Sequence, residues 1–200
     1  LALKRLFWRK VKKTRIFRIN TVKRADNLAM VKLLKIDHQH VRKLKSQEFT
    51  RWAIVDSQPS HNPLFEKHTY DIIIDHHPAG PETKAPYMDI KESYGATATM
   101  MIEYLRAAKI RPSPRLATAL FYGIKTDAEN FARPTTEGDI KAFRFLYPFV
   151  NISIIKKIES SEFTKKSLAS FRDALDRYVI IRNRAIVHMG VVKDPDVLVM

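Results

Sequence analysis

The period of the apolar positions changes several times along this chain of 200 residues. Leu1, Leu3, Leu6, Phe7 and Val11 fall on one face of an amphipathic helix. Residues 14–19 alternate and are rich in β-branched side chains, which predicts a strand. Leu28, Met30, Val31, Leu33 and Leu34 then give a short helix over residues 27–36, with Asp26 placed as its N-cap. Two clearer strands follow, residues 52–56 and 70–75. Each is a short apolar run that ends in an aspartate and a turn, the signature of strands covered on both faces of a parallel sheet. Helical spacing returns over residues 95–108. Pro112 and Pro114 break the chain, and Pro114 is placed to open the next helix, residues 116–124, with Thr126 and Asp127 at its end. A further helix is predicted over 136–147, a loop at Pro148 and Asn151, a polar helix over 163–178, and a strand over 179–192 with Gly190 as a turn residue. Strands that alternate with helices predict an α/β fold, a parallel sheet flanked by helices. Residues 1–150 would form that domain, and residues 151–200 a helical connector leading into a second one.

Composition narrows the chemistry. With no cysteine there are no disulfides, no thiolate metal site and no cysteine nucleophile, so any metal is held by carboxylate and imidazole. No stretch approaches the roughly 18 consecutive apolar residues of a membrane helix, and the N-terminus lacks a signal-peptide cleavage site. The expectation is a cytoplasmic protein with no membrane partner. A net charge of +15 is concentrated in the first fifty residues and favours anionic partners, phosphate-bearing ones above all. The opening at Leu1, within a helical pattern, and the stop at Met200, just after Asp194-Pro195-Asp196, suggest an internal piece of a longer protein.

The chemistry gathers at Asp75-His76-His77, directly after the apolar run Ile72-Ile73-Ile74. Ligands bind at the carboxyl ends of the strands in an open parallel sheet. Asp56 ends the other strand at the same edge if the two are parallel, and Asp127 precedes a turn that could return it there. Taken singly, Asp56 or Asp127 reads as a cap or turn former. Together, three carboxylates and two histidines describe a site for hard divalent cations. His38 and His40 form a rival pair, but they follow a helix end in a basic stretch and read as surface residues.

These residues also carry a resemblance. Ile74-Asp75-His76-His77 resembles the signature of the DHH phosphoesterase superfamily, and Ala53-Ile54-Val55-Asp56 its preceding aspartate motif. The run from Tyr122 through Gly123-Ile124-Lys125-Thr126-Asp127 to Phe131 is similar to the family's fourth motif, and Tyr94-Gly95-Ala96-Thr97 fits its layout. The branch it resembles most is the RecJ-like nano-RNase and 3′-phosphoadenosine-5′-phosphate (pAp) phosphatase group. The resemblance implies metal ligation by Asp56, His76 and Asp127, a catalytic contact from His77 to the scissile phosphate or leaving group, and an orienting role for Asp75. It implies two manganese ions, with magnesium as the alternative, and hydrolysis of phosphate esters of nucleotides such as pAp or of short oligonucleotides. The family's first motif, an Asp-x-Asp preceded by a histidine, is missing and would lie upstream of Leu1, so this chain is expected to bind metal weakly and turn over little. Rival readings stay open: an inorganic pyrophosphatase or exopolyphosphatase, a nucleic-acid-binding module with a relic motif, or a catalytically silent homologue.

Overall fold

A computed structural model describes residues 1–80, 82–130, 135–161 and 163–191. The chain divides into two compact units, one of residues 1–21 with 37–152, the other of residues 22–36 with those from 153 onward.

The first unit opens with a short helix α1 (Ala2–Leu6) and a strand β1 (Phe17–Arg18), which pairs in parallel with β2 (Gln39–His40). The apolar stripe that predicts a helix out to Val11 is cut short. The chain leaves α1 at Phe7, and Arg9 adopts a left-handed backbone with φ of 64°. Next comes a parallel three-stranded sheet in the order β3 (Ala53–Val55), β4 (Ile72–Asp75), β5 (Tyr87–Ile90). Ala53 stands opposite Ile72 and Val55 opposite Ile74, so Asp56 and Asp75 leave the same edge. Asp71 fixes that register. Its Oδ2 accepts from the Trp52 amide at 2.8 Å, and its own amide donates to the Trp52 carbonyl at 2.8 Å. Ile54, Tyr70 and Ile73 form a buried cluster against which Trp52, Phe65, Ala85 and Ile90 pack.

Helices α3 (Thr97–Ala107), α4 (Pro114–Asp127) and α5 (Glu137–Leu146) follow, burying Met100, Ile102, Leu105, Ala117, Ile124 and Leu146. Their starts obey local chemistry. Ser113 caps α4, accepting from the Leu116 amide, and Pro114 occupies the first turn, where no amide is needed. Thr136 and Asp139 form a reciprocal capping box on α5.

The second unit holds α2 (Ala25–Leu33), most of α6 (Ile152–Ser160), α7 (Lys165–Arg177) and an antiparallel hairpin of β6 (Val179–Ile181) and β7 (Arg184–Ile186). Asp26 does not cap α2. It lies inside the first turn with its carboxylate buried, and Arg24 holds the cap position. The single strand expected over 179–192 is this hairpin, because Arg182 takes a left-handed turn at φ of 58°; Val192 lies outside the described residues. Sequence reading gave neither β5 nor α6. Among the described residues no helix is long and apolar enough to cross a membrane.

Candidate metal centre

Parallel pairing brings the ends of β3 and β4 together. The Asp56 amide donates to the Ile74 carbonyl at 2.9 Å, and Asp56 then turns through a left-handed conformation with φ of 61°. Non-glycine residues reach that region at a cost of about 1 kcal/mol or more, so the turn is held by its surroundings. Thr97 supplies part of that hold, its hydroxyl donating to Asp56 Oδ1 at 2.8 Å.

His76 and His77 leave β4 in different directions and find different anchors. His76 Nδ1 lies 3.1 Å from the Tyr94 carbonyl, which can only accept, so Nδ1 carries the proton. The lone pair therefore sits on Nε2, 3.6 Å from Asp56 Oδ1. His77 Nδ1 donates to Asp75 Oδ1 at 2.8 Å, which again leaves Nε2 outward. One ligand atom each from Asp56, His76 and His77 lies within 4.8 Å of the others. Donors bound about 2.1 Å from one cation stand about 3–4 Å apart, so His76 Nε2 and Asp56 Oδ1, 3.6 Å from each other, suit a shared divalent ion, with His77 beside them.

Asp75 is fully buried and stands behind the cluster rather than in it. Burial pushes its carboxyl up, but hydrogen bonds from His77 and Gln58 more than reverse this and hold it below the usual carboxylate range. The same bond to Asp75 raises His77, against a smaller opposing effect of burial, with the charges of Asp75, Asp56 and Asp127 adding to the rise.

Asp127 occupies the last position of α4, the negative end of the helix dipole, where a carboxylate is out of place for stability. Burial pushes it up to about 6, with the charge of Asp56 adding and those of His76 and His77 opposing. It thus feels the cluster electrostatically, although its carboxylate is not one of the three converging groups. Phe131, the end of its motif, lies outside the described residues. His38 and His40 are taken up elsewhere and only half exposed. His38 Nδ1 accepts from Arg18 Nε at 3.1 Å, and His40 Nδ1 from the Arg42 amide at 3.1 Å.

Sequence reading passed over several residues on which this geometry depends. Gln58 is fully buried. Its Nε2 donates to Asp75 Oδ2 at 2.9 Å and to the Pro78 carbonyl at 3.0 Å, while its Oε1 accepts from the Gly80 amide at 2.8 Å and the Thr83 hydroxyl at 2.9 Å. Asp139, also fully buried, accepts from the Gly95 amide and the Thr99 hydroxyl. It thereby locks residues 94–97, the segment that orients both His76 and Asp56. His61 has its Nδ1 facing the Gln58 amide at 3.3 Å, and its ring stands edge-on to His77 with centroids 5.7 Å apart. The spacing Thr136-x-x-Asp139, a capping box at the start of α5, is the one local signal among them that could have been read.

No protein-family model matches the chain. It is 34 % identical over 174 residues to an uncharacterised protein of Methanocaldococcus jannaschii, a match over 86 % of this chain and 36 % of that one. Among solved structures, it superposes with a TM-score of 0.68 and 13 % identity on an exopolyphosphatase-related protein from Bacteroides fragilis, over 90 % of this chain and 57 % of that one. It also matches a Methanococcus jannaschii protein assigned as a family II inorganic pyrophosphatase, with a TM-score of 0.59 and 23 % identity, over 72 % and 51 %. The chain thus spans about a third of the curated relative and little more than half of each structure, and it has their α/β fold with a parallel sheet flanked by helices.

Proposed function

We propose that this chain carries the metal-binding part of a phosphohydrolase of the DHH type, acting on phosphate esters of nucleotides such as pAp or of short oligonucleotides. One observation carries the reading. Asp56, His76 and His77 converge at the carboxyl edge of a parallel sheet, each imidazole with its Nδ1 proton already committed. Carbonyls and carboxylates behind ligating imidazoles are the usual means of fixing tautomer and ring plane around a metal.

Asp56, His76 and Asp127 would hold the divalent cations, manganese or magnesium, which supply Lewis acidity towards phosphoryl oxygens and lower the pKa of water. His76 offers Nε2 because Tyr94 takes its other proton. His77, with its Nδ1 on Asp75 and its pKa raised by that bond, would turn Nε2 towards the phosphate and, when protonated, donate to a phosphoryl oxygen or to the leaving oxygen. Asp75 itself stays ionised and keeps its ring in place. A full two-metal set needs more carboxylates than these, and the family's Asp-x-Asp motif that would add them is not seen here; weak metal binding and slow turnover follow.

A second reading is favoured by the two structural neighbours: hydrolysis of pyrophosphate or polyphosphate by the same residues. A panel of pAp, a diribonucleotide, pyrophosphate and long-chain polyphosphate with manganese separates the two. Slow phosphate or nucleotide release from pAp or the dinucleotide, abolished in Asp56→Asn, supports the first reading. Release confined to pyrophosphate or polyphosphate supports the second. Turnover that survives Asp56→Asn and chelator would sink both.

A further inference from the structure

A second feature of the first unit involves none of the residues of the metal centre. Residues 1–21 and 37–50 hold eleven lysines and arginines against two acidic residues. Both acids are engaged, Glu48 by Lys13 and Asp37 by Arg15 at 3.2 Å. Residues 13–18 of the first segment lie against residues 37–49 of the second. The parallel pairing of β1 with β2 joins them, Arg18 Nε donates to His38, and Phe17 meets Phe49 edge-to-face with centroids 5.7 Å apart.

The first basic segment also carries an aromatic platform. Trp8 is 56 % exposed, with the guanidinium carbons of Arg5 and Arg9 at 4.6 and 4.4 Å from its ring centroid. The left-handed turn at Arg9 places consecutive residues 8 and 9 so that the guanidinium lies over the neighbouring indole. Lys13 lies over the Phe49 ring at 5.3 Å in a second cation–aromatic pair.

We propose that these basic segments bind single-stranded nucleic acid, with an unpaired base stacking on the Trp8 and Arg9 platform and the phosphates running along the lysines and arginines. Cations alone would suit any polyanion, but an exposed indole with guanidiniums over its ring adds a flat stacked surface of the kind on which unpaired bases stack. A lipid surface would call for a contiguous apolar face. Besides Trp8, the one large apolar side chain exposed in residues 1–21 is Val11, and around it stand Arg9, Lys10, Lys12 and Lys13.

The test is fluorescence anisotropy of a labelled 15-nucleotide oligo(dT) with the full chain, in chelator so that the metal centre takes no part. Binding is expected to weaken steeply with salt. Trp8→Ala should lower the affinity about tenfold with the salt slope unchanged, Trp8→Phe should restore most of it, and the pair Lys10→Gln, Lys12→Gln should flatten the slope. Long-chain polyphosphate should compete, with a competition constant indifferent to Trp8→Ala. The proposal is overturned by absent binding at low salt, by an affinity that Trp8→Ala leaves unchanged, or by preference for phosphatidylserine vesicles over the oligonucleotide. Asp56→Asn should bind as the parent chain does, so failure of the hydrolase reading and failure of this one are told apart.

Discussion

Gln58 illustrates how much of the site depends on residues that touch no metal. Its side-chain amide bonds Asp75, Pro78, Gly80 and Thr83, and of these Asp75, on which His77 leans, and Thr83 are buried. Gln58→Ala removes all of these at once and leaves buried polar groups unpaired, at about 1–3 kcal/mol for each that finds no water. Chemical denaturation should show a loss of about 2–4 kcal/mol, and the imidazole protons of His77 should titrate closer to the ordinary value by NMR. Asp127 should behave oppositely. Its raised folded-state pKa means that, without metal, the folded chain holds a proton that the unfolded chain releases between the ordinary carboxylate range and about 6. Stability from this group is therefore lost as pH rises through that window. Asp127→Asn should melt higher than the parent at pH 7 in chelator, by a few degrees, and the gap should close near pH 4. An unchanged or lower melting temperature at pH 7 would contradict the burial argument. The histidine pair and Asp56 were legible in the sequence because they adjoin strongly apolar runs. The parts that Gln58 and Asp139 play in the site were not, because the partners that tie them to it, Asp75 and Gly95, lie 17 and 44 residues away.

At the level of elements, the site rests on the N-terminus of α3 as much as on the strands. Tyr94 gives its carbonyl to His76, Thr97 its hydroxyl to Asp56, and between them Gly95 donates to Asp139. A Cβ at Gly95 would stand 2.5 Å from Asp139 Oδ2, too close to be accommodated without displacing the segment. Gly95→Ala is thus expected to weaken metal binding about tenfold or more while leaving α3 helical, which calorimetry and circular dichroism together would read. Retention of full affinity would mean that His76 and Asp56 do not depend on this anchor. The sequence pattern located β3 and β4 by their continuous apolar runs and α3 by its helical apolar spacing, and it also placed α4, α5 and the polar α7. It missed β5, whose Tyr87 and Met88 face solvent and whose four residues show no alternation. It overextended α1, where turn geometry at Arg9 overrides an apolar stripe.

Across the whole molecule, charge and fold separate two kinds of binding. The carboxyl edge of the sheet gathers carboxylates and imidazoles for cations, whereas the segments around β1 and β2 gather cations for a polyanion. The net charge of +15 pointed to anionic partners without saying where; the strand pairing says which segments lie together. The branch and substrate resemblance rests on motifs of a few residues each, while the likeness to solved structures bears on the fold. The central claim concerns the metal. Calorimetric titration of the chain with manganese, set beside Asp56→Asn and His76→Gln, tests it most directly. The account predicts weak but saturable binding by the parent chain, lost in both variants although both remain folded. Equal binding by all three proteins, or none by the parent at millimolar manganese, would contradict it.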